Sequence, residues 1–380
     1  MNIVFLDCTQ GYGYAFSACN TKVELMARGL TEAGDRCYIH NGPNGKAGLQ
    51  APQYAEVPGV GQVVDYPCRH NWYINPLFNY RLLVSDLKRW HQSDTQNVVV
   101  LEAPYLPYYR LEMRAARQAG YKVAVIAHEW LATFRNRNKI RRWLAHRYSK
   151  VFGHKVDAIL PISEYIIDKI QKFKKPYLKV PVLADFSTEA PFSSPEKYFA
   201  FCVSAEYSRV IEIVLRGFMK FHESFPDYKM KLILSGGKEA RSRVSEFVAE
   251  NGCSNSVDIR SGLPYDELKA LYCRASGLVV ALNPDFEQDK ARFSQKIAEY
   301  LSSGATLISN NVGEMPHYFT DRKNIVIGEY SSAGFFDSFR WIAENPEKAR
   351  RIGLAGYELG KTKFNYKSCG KQLHDFLRKI

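Results

Sequence analysis

One stretch of this chain decides the fold of its second half: Arg292-Phe-Ser-Gln-Lys-Ile-Ala-Glu-Tyr-Leu-Ser-Ser-Gly304. Ser294 is a favourable N-cap and Gly304 a favourable C′ residue, so the stretch predicts a short helix. Its apolar side chains recur at helical spacing and mark a buried face: Phe293, Ile297, Tyr300 and Leu301. Its polar side chains mark the opposite face: Gln295, Glu299 and Ser302. A buried strand is predicted to follow at 305–309.

The ligand expected at this helix is an anion that carries a sugar. A helix N-terminus offers free backbone amides and a partial positive charge, and Lys296 adds a full charge in the first turn. Glu299, one turn further along, is unfavourable beside a second phosphate but suits the hydroxyls of a sugar. The stretch therefore predicts a nucleotide-sugar site at which Ser294, Lys296 and Glu299 bind the ligand.

Composition narrows the class of protein. A chain of 380 residues predicts two domains, and 46% hydrophobic with 24% charged residues is typical of a soluble globular protein. No apolar stretch is long enough for a spanning helix, and residues 1–7 resemble a first strand rather than a signal peptide. The eight cysteines form no Cys-x-x-Cys pair, which argues against a zinc ribbon or a disulfide framework. We therefore expect a reduced, cytoplasmic protein.

The net charge of +13 is concentrated in one region. Residues 128–180 contain 13 Lys and Arg against 4 Asp and Glu. A basic balance is typical of proteins that bind nucleic acid, acidic membranes or anionic small substrates. Because no recognised nucleic-acid-binding module accompanies these charges, we expect no nucleic-acid partner.

Strand-like and helix-like segments alternate through both halves, which predicts parallel sheets with helices on both faces. We predict an α/β fold of two Rossmann-like, doubly wound domains that face a cleft. The predicted parts are an acceptor-side domain at 1–186, a Ser- and Pro-rich linker at 187–196, a nucleotide-sugar-binding domain at 197–360, and a C-terminal helix at 361–380 that crosses back to the first domain. Residues 41–72 are predicted to form a long irregular insertion, and 178–183 a strand.

A glycine loop, Gly11-Tyr-Gly13, follows the first predicted strand. A dinucleotide fingerprint would place a third glycine where Phe16 stands and an acidic residue where the second strand ends in His40-Asn41. These two departures argue against a nicotinamide cofactor. The loop either lets another ligand approach its backbone or is a plain turn between a strand and a helix.

Four further residues stand where such folds place functional groups. His128 and Glu129 follow a predicted strand and would orient a sugar hydroxyl. Arg209 lies in the first turn of a predicted helix, where a guanidinium can bind a diphosphate. Gly313 opens a predicted helix whose amides would meet hydroxyls or phosphate. The alternatives also stand: a structural histidine, a solvated arginine and a capping turn.

A basic amphipathic helix is predicted at 137–152, with Arg141, Arg142 and Trp143 among its residues. Such a helix either lies on an anionic membrane surface or packs on the sheet of its own domain with its charges in water. No paired-carboxylate metal motif is recognisable, since Asp285 and Glu287 stand in a polar loop without further ligands. We therefore expect no metal and no cofactor.

The chain resembles the retaining glycosyltransferases of the GT-B fold, in glycosyltransferase family 4. The resemblance covers most of the chain and is carried by several blocks in order: 199–218 with Arg209, Leu232-Ile-Leu-Ser-Gly236-Gly237, 257–272, 293–304 and 313–316 in the second half, and more weakly Gly11–Gly13, His128-Glu129 and Pro161-Ile-Ser-Glu-Tyr165 in the first.

The resemblance implies roles for individual residues. Glu299 matches the second glutamate of the family's E-x7-E motif, which holds ribose hydroxyls. Arg209 and the amides near Ser294 match positions that meet the diphosphate, and His128 matches a histidine near the donor sugar. Gly11 and Gly13 match the loop beneath the phosphates, and Gly236 a glycine turn on the donor side.

One position departs from the family. Ala291 stands where the first glutamate of E-x7-E would contact the donor sugar, and Ser294-Gln-Lys296 resembles a Ser-x-Lys variant found in some members. The departure leaves open whether activity is lowered or lost.

These features together predict a metal-independent, retaining transferase. It would move a hexose-type sugar from a nucleoside diphosphate donor to a saccharide or lipid-linked acceptor in surface polysaccharide synthesis, at the inner face of the cell membrane. A sugar-nucleotide epimerase on the same fold and a non-catalytic nucleotide-sugar-binding homologue remain as alternatives.

Overall fold

A computed structural model describes residues 1–14, 17–41, 45–68, 74–102, 106–133, 139–186 and 195–380. The chain forms two compact units. The first unit comprises Met1–Ala184, Ala291–Gln295 and Phe364–Ile380, and the second comprises Asp185–Lys290 and Lys296–Lys363. All but two residues of the predicted linker, 187–196, lie outside the described residues.

The strands are β1 (Asn2–Leu6), β2 (Arg36–His40), β3 (Gln53–Val57), β4 (Gly61–Asp65), β5 (Asn97–Leu101), β6 (Lys122–Ala127), β7 (Ala158–Pro161), β8 (Glu196–Ser204), β9 (Lys229–Ser235), β10 (Val257–Arg260), β11 (Ala275–Val280), β12 (Leu307–Ser309) and β13 (Val326–Ile327). The helices are α1 (Ala18–Glu32), α2 (Asn75–Trp90), α3 (Leu106–Gln118), α4 (Lys139–Val151), α5 (Glu164–Ile170), α6 (Ser208–Ser224), α7 (Lys238–Glu250), α8 (Tyr265–Arg274), α9 (Glu287–Ala291), α10 (Gln295–Ser302), α11 (Met315–Tyr318), α12 (Ser332–Glu344), α13 (Pro346–Lys363) and α14 (Tyr366–Leu377). Short 3-10 turns occur at Leu131–Thr133, Gln171–Phe173 and Ala205–Tyr207.

The first unit is built on a seven-stranded sheet in the order β3-β4-β2-β1-β5-β6-β7. All of its pairings are parallel except that between β3 and β4. Every residue of β1 and β5 is buried, as expected for central strands with helices on both faces. Right-handed crossovers place α2, α3 and α4 on one face, where α3 contacts both neighbours, and α1 on the other face, where it packs against α14.

The second unit is built on a six-stranded, all-parallel sheet in the order β10-β9-β8-β11-β12-β13. Its core contains a cluster of phenylalanine rings. Phe199 on β8 lies against Phe221 of α6 and Phe339 of α12, with ring centroids 5.6 and 4.6 Å apart. Aromatic contacts of this kind lock the two helices onto one face of the sheet.

Each sheet has one point at which the strand order reverses. In the first unit this switch point lies between β1 and β5, and in the second between β8 and β11. Ligands of doubly wound sheets bind outside the carboxyl ends of the strands at such a point. The topology therefore marks one candidate position in each unit.

The helix predicted within 292–304 is confirmed as α10, and its apolar face is buried: Phe293, Ile297, Tyr300 and Leu301 are each at most 5% exposed. Gly304 has a φ of 73°, as expected for a residue that ends a helix. The placement of Gln295 on the polar face was wrong. Its side chain is buried and its amide pairs with both backbone groups of Leu183.

Two other local predictions were wrong. The supposed irregular insertion at 41–72 contains the hairpin β3–β4, whose second strand joins β2. The pattern was missed because β3 lies at the sheet edge with four of its five residues exposed, so it shows no alternation of apolar residues. No strand forms at 178–183, where the Gln295 amide replaces strand pairing for Leu183. No described helix has the length and apolar character needed to cross a bilayer.

Candidate functional site

The second unit presents Arg209 beside its switch point. Ser204 ends β8 and its hydroxyl accepts a hydrogen bond from the Glu206 amide, which turns the chain into α6 with Arg209 exposed in the first turn. Burial raises the pKa of Tyr330; Asp289 and Asp285 raise it further and Arg209 opposes them. Arg209 follows β8, and Asp285 and Asp289 follow β11, the two strands at the switch point. This places a guanidinium where the order of the strands reverses.

A glycine turn follows the neighbouring strand β9. Gly236 has a φ of 99°, and a Cβ atom built there would lie 3.2 Å from the Ser204 hydroxyl at the end of β8. A left-handed conformation and a close neighbour both favour glycine. Residue 236 therefore adds no side chain at the carboxyl ends of β8 and β9.

Lys296 and Glu299 lie beside the same end of β8. The Cys202 amide of β8 donates a hydrogen bond of 3.2 Å to the Tyr300 hydroxyl, which ties α10 to that strand. Burial raises the pKa of the Cys202 thiol, while the Lys296 ammonium lowers it and Glu299 raises it. Lys296 and Glu299 therefore stand on the helix that Tyr300 ties to β8.

Glu299 combines partial burial with nearby positive charge. Burial raises the pKa of its carboxyl group, and the ammonium groups of Lys296 and Lys269 lower it. A half-buried carboxylate favours hydroxyl donors as ligands, because such donors satisfy its oxygens without adding charge.

Gly313 and Ser294 are placed differently. Gly313 has a φ of 63°, and a Cβ atom there would lie 2.8 Å from the carbonyl oxygen of Asp289. This close approach by itself accounts for the glycine, and the four-residue helix α11 begins only at Met315. Ser294 immediately precedes α10 and belongs to the first unit.

Ala291, the position of the missing glutamate, is fully buried in the first unit. Its carbonyl oxygen accepts a hydrogen bond of 2.6 Å from the Ser163 hydroxyl, which also caps α5. A carboxylate at this position would be buried away from water, which costs free energy unless an opposite charge pairs with it.

In the first unit, Asn41 holds the glycine loop. Its side chain accepts from the Tyr12 amide at 2.7 Å and donates to the Tyr12 carbonyl at 2.9 Å. Gly11 and Gly13 on either side have φ values of 66° and 90°. Asn41 follows β2, where a dinucleotide-binding fold would carry an acidic residue. Its role here is to shape the loop, which sequence patterns did not indicate.

His128 and Glu102 form a pair at the switch point of the first unit. Glu102 follows β5 and His128 follows β6, and Nδ1 of the histidine lies 3.4 Å from Oε2 of the glutamate. Burial and the charge of Lys22 lower the pKa of His128, whereas Glu102 raises it. Nε2 of His128 is buried and has no hydrogen-bond partner among the described residues. Glu102 was missed; its position directly after a buried strand was the available signal.

Glu129 is half-buried and lines a pocket together with Glu102. The rings of Trp130, Tyr148 and Phe152 form other walls of this pocket. The cavity holds only about 20 Å³ and the three rings are themselves buried, so it is too small for a sugar ring.

Two buried carboxyl groups, those of Asp7 and Glu112, belong to the same unit. Burial, and secondarily the charge of Glu102, raises the pKa of Asp7 well above its usual range. Burial and Asp7 do the same to the pKa of Glu112. Lys22, also buried, donates to the Val180 carbonyl at 2.9 Å, and burial lowers its pKa to about 7. The switch point of the first unit thus concentrates titratable groups.

The predicted basic helix forms as α4. Trp143 is 55% exposed, with the Arg147 guanidinium 5.0 Å from its ring centroid. Arg142 is exposed and Arg141 half-buried. Arg137, the first residue of the predicted helix, lies outside the described residues. Across the described ranges, no group of three or more His, Cys, Asp or Glu side chains is arranged to hold a metal ion.

The predicted site residues therefore fall into two groups. Arg209, Gly236, Lys296 and Glu299 lie at the carboxyl end of β8 and β9 in the second unit, and Gly313 packs on α9 of that unit. Gly11, Gly13, His128 and Glu129 follow strands of the first unit.

Residues 222–375 match the family model described as "Glycosyl transferase-like". No curated protein matches the sequence. Among solved structures, sucrose-phosphate synthase from Thermosynechococcus elongatus is similar with a TM-score of 0.74 at 13% identity, over 100% of this chain and 99% of that chain.

Two further structures show the same likeness. HepE from Anabaena, in complex with UDP and glucose, has a TM-score of 0.73 at 11% identity over 100% of both chains. The UDP-forming α,α-trehalose-phosphate synthase from Burkholderia xenovorans, in complex with glucose-6-phosphate, has a TM-score of 0.71 at 10% identity over 99% of both chains. The chain therefore has the GT-B fold of two Rossmann-like units, and the family model supports a glycosyltransferase.

Proposed function

We propose that the chain is a glycosyltransferase that moves a hexose-type sugar from a nucleoside diphosphate donor to a hydroxyl of a saccharide or lipid-linked acceptor. The observation that supports this proposal is that Arg209 begins the helix after β8, while α10, which carries Lys296 and Glu299, is joined to β8 by the bond between Cys202 and Tyr300, beside the switch point of the second sheet. Two cations and one carboxylate match a diphosphate followed by a ribose.

The cations would act mainly on the leaving group. As the bond between the sugar and the diphosphate breaks, negative charge grows on the diphosphate, and fixed positive groups stabilise it more than they stabilise the ground state. Arg209, Lys296 and the amides that follow Ser294 supply such groups. We propose that these groups suffice without a metal ion. Glu299 would accept hydrogen bonds from the ribose hydroxyls.

His128 would contact a sugar. With Nδ1–H directed at Glu102, a neutral His128 leaves Nε2 as an acceptor for a sugar hydroxyl. The charge of Glu102 would keep this tautomer. Glu129, half-buried beside Glu102, would orient the acceptor hydroxyl.

We also propose the stereochemistry of the reaction and its place in the cell. The motif around Glu299 resembles that of retaining enzymes, so the product is proposed to keep the anomeric configuration of the donor. The acceptor is proposed to belong to surface polysaccharide synthesis at the inner face of the cell membrane. HepE from Anabaena was solved with UDP-glucose, which makes that compound the first donor to test.

The proposal is tested by incubating the protein with a panel of nucleotide sugars and following its thermal unfolding. A donor at about 100 times its dissociation constant should add roughly 2.7 kcal/mol to the free energy of unfolding. The stabilising donors are then incubated with saccharide and lipid-linked acceptors, and mass spectrometry detects the released nucleoside diphosphate and the product. Proton NMR of the anomeric signal reports retention.

Three outcomes would contradict the proposal. No thermal shift with any nucleotide sugar would exclude a donor site. An epimerised donor would indicate the epimerase alternative. Binding without turnover across the acceptor panel would indicate a non-catalytic homologue. This alternative is consistent with a buried alanine, Ala291, at the position of the first glutamate of the family motif.

A further inference from the structure

Residues 291–295, called the anchored segment below, lead from α9 into α10 and belong to the first unit. The three middle residues of the segment belong to no helix or strand. At one end, the Ser163 hydroxyl donates a hydrogen bond of 2.6 Å to the Ala291 carbonyl. At the other end, the Gln295 side chain pairs with both backbone groups of Leu183. The segment is therefore hydrogen-bonded to the first unit at both of its ends.

An aromatic contact holds the middle of the anchored segment. Phe293 is 5% exposed, and its ring centroid lies 5.6 Å from that of Phe364. The two stretches of chain that contact the segment are themselves joined, because the Ala184 amide donates a hydrogen bond of 2.9 Å to the Phe364 carbonyl. The segment is thus held at three points within five residues, which leaves its backbone little freedom to rotate.

The two polar side chains that hold the segment are not available to a ligand. Ser163 is fully buried, and its hydroxyl also accepts a hydrogen bond of 3.2 Å from the Ile166 amide. Gln295 is only 7% exposed, and its side-chain oxygen and nitrogen are both bonded to Leu183. Both side chains are uncharged, so they add no charge to the surroundings. What their hydrogen bonds fix is the backbone of the segment.

We propose that Ser163 and Gln295 are positioning residues for the donor diphosphate, because they fix the direction of the backbone amides at the start of α10. Gln295 is the first residue of that helix, and the first amides of a helix have no partner within it and bind anions. Donors stabilise a ligand best when their directions are set in advance, and a displacement of about 1 Å can cost about 100-fold in rate. This inference rests on the proposed donor site and adds the residues that orient it.

A positioning role and a purely structural role differ in one measurable respect. If the two side chains only stabilise the first unit, their loss lowers the free energy of unfolding but leaves the ligand preference of the folded protein unchanged. If they orient the amides, their loss weakens binding of a nucleoside diphosphate, whereas the nucleoside, which has no phosphate to meet these amides, keeps its affinity. The ratio of the two dissociation constants therefore separates the roles.

The test measures dissociation constants of the full chain for UDP, GDP, ADP, CDP and TDP by calorimetry, and for the matching nucleosides by ligand-observed NMR. Gln295→Met keeps the approximate size of the side chain and removes both bonds to Leu183, and Ser163→Ala removes the bond to Ala291. Each variant should bind the nucleoside diphosphate that the parent protein prefers about tenfold more weakly. The affinity for the corresponding nucleoside should change by less than about twofold.

Two matched controls remove comparable hydrogen bonds elsewhere. Gln96→Met removes a side-chain amide that donates to the carbonyls of Leu377 and Ile380, each at 3.0 Å. Ser256→Ala removes a buried hydroxyl that donates to the Cys253 carbonyl at 3.1 Å. Gln96 precedes β5 and Ser256 precedes β10, so both lie at the amino ends of strands, whereas ligands bind at the carboxyl ends. Both controls should keep the parent affinities, and circular dichroism melts confirm that each variant is folded.

The positioning role is overturned if folded Gln295→Met and Ser163→Ala proteins bind the nucleoside diphosphate like the controls, or if they lose affinity for the diphosphate and the nucleoside equally. If one of the two variants does not fold, the other decides. A parent protein that binds none of the five nucleoside diphosphates would remove the donor site itself, and with it the proposed function. A parent that binds, with variants that bind equally well, removes only the positioning role.

Discussion

Nδ1 of His128 lies 3.4 Å from Oε2 of Glu102 in the first unit, and the two residues follow the adjacent strands β6 and β5. The side chain of the glutamate is 26% exposed, whereas that of the histidine is 9% exposed. The pair therefore couples a partly hydrated charge to a buried ring. If His128 contacts substrate, Glu102 is the residue that positions it.

The first prediction concerns this pair. Glu102→Gln should lower the transfer rate by about tenfold with little change in donor affinity, and His128→Ala should lower it by about 100-fold. Because the charge of Glu102 raises the pKa of His128, its removal should move the acid limb of the kcat/KM profile to lower pH. Asp168→Asn, at an exposed ion pair on α5, is the control and should leave rate and profile unchanged. An unchanged profile in Glu102→Gln would separate the two residues functionally.

A second prediction concerns the ribose. Glu299→Ala should weaken binding of the nucleoside diphosphate by about tenfold or more, since a hydrogen bond to a charged group contributes about 1.5–3 kcal/mol. The protein should remain folded, because burial already disfavours the ionised carboxyl group. Calorimetry with UDP and a thermal melt measure both effects. The control is Glu267→Ala, which removes an exposed carboxylate of α8. Normal donor turnover by Glu299→Ala would show that the site is elsewhere.

The third prediction is a pH dependence of stability. His40 is 5% exposed, neither ring nitrogen has a hydrogen-bond partner among the described residues, and burial lowers its pKa from 6.5 to about 4. Between these values the unfolded chain binds more protons than the folded chain, so this residue makes the protein less stable as pH falls from 6.5 to 4.

His40→Phe should remove that dependence. Relative to the parent protein, its free energy of unfolding should rise by about 3 kcal/mol between pH 7 and pH 4. Urea unfolding at several pH values measures the difference. His154→Phe, at an exposed position, serves as the control and should show no comparable trend. A constant difference between His40→Phe and the parent would mean that His40 does not titrate as proposed.

The fourth prediction concerns the contact of α1 with α14. A Cβ atom at Gly29 would lie 2.5 Å from the Tyr366 carbonyl oxygen and 2.8 Å from the Gly370 Cα atom. Gly29→Ala should therefore destabilise the protein by about 1–3 kcal/mol, although alanine favours helices, because the helices must move apart. Chemical unfolding measures the change, and Lys371→Ala on the exposed side of α14 is the control. A more stable Gly29→Ala protein would show that the contact is loose.

The local structure of the second half was largely predictable. The apolar spacing within 292–304 indicated α10 and its buried face, because a helix in contact with a core repeats its burial every 3.6 residues. The same pattern placed Gln295 on the wrong face, because the periodicity is read from apolar residues alone. The polar Gln295 amide is nevertheless buried, since it pairs with the backbone of Leu183.

The candidate site was predictable only in part. Arg209, Lys296 and Glu299 could be named because each stands in or beside a recognisable helix start. Asn41 and Glu102 could not be assigned roles, because their partners, Tyr12 and His128, are distant in sequence. Such pairs form only when the order of strands in a sheet is known.

By itself, the sequence determined the alternation of strands and helices, the helix that carries Glu299, and the basic character of α4, because each depends on residues close together in the chain. Only the tertiary structure decided that Glu102 meets His128, that Asn41 holds the glycine loop, and that the Gln295 amide pairs with Leu183. The physical reason is that sheet order and crossover handedness bring together segments whose local patterns carry no information about one another.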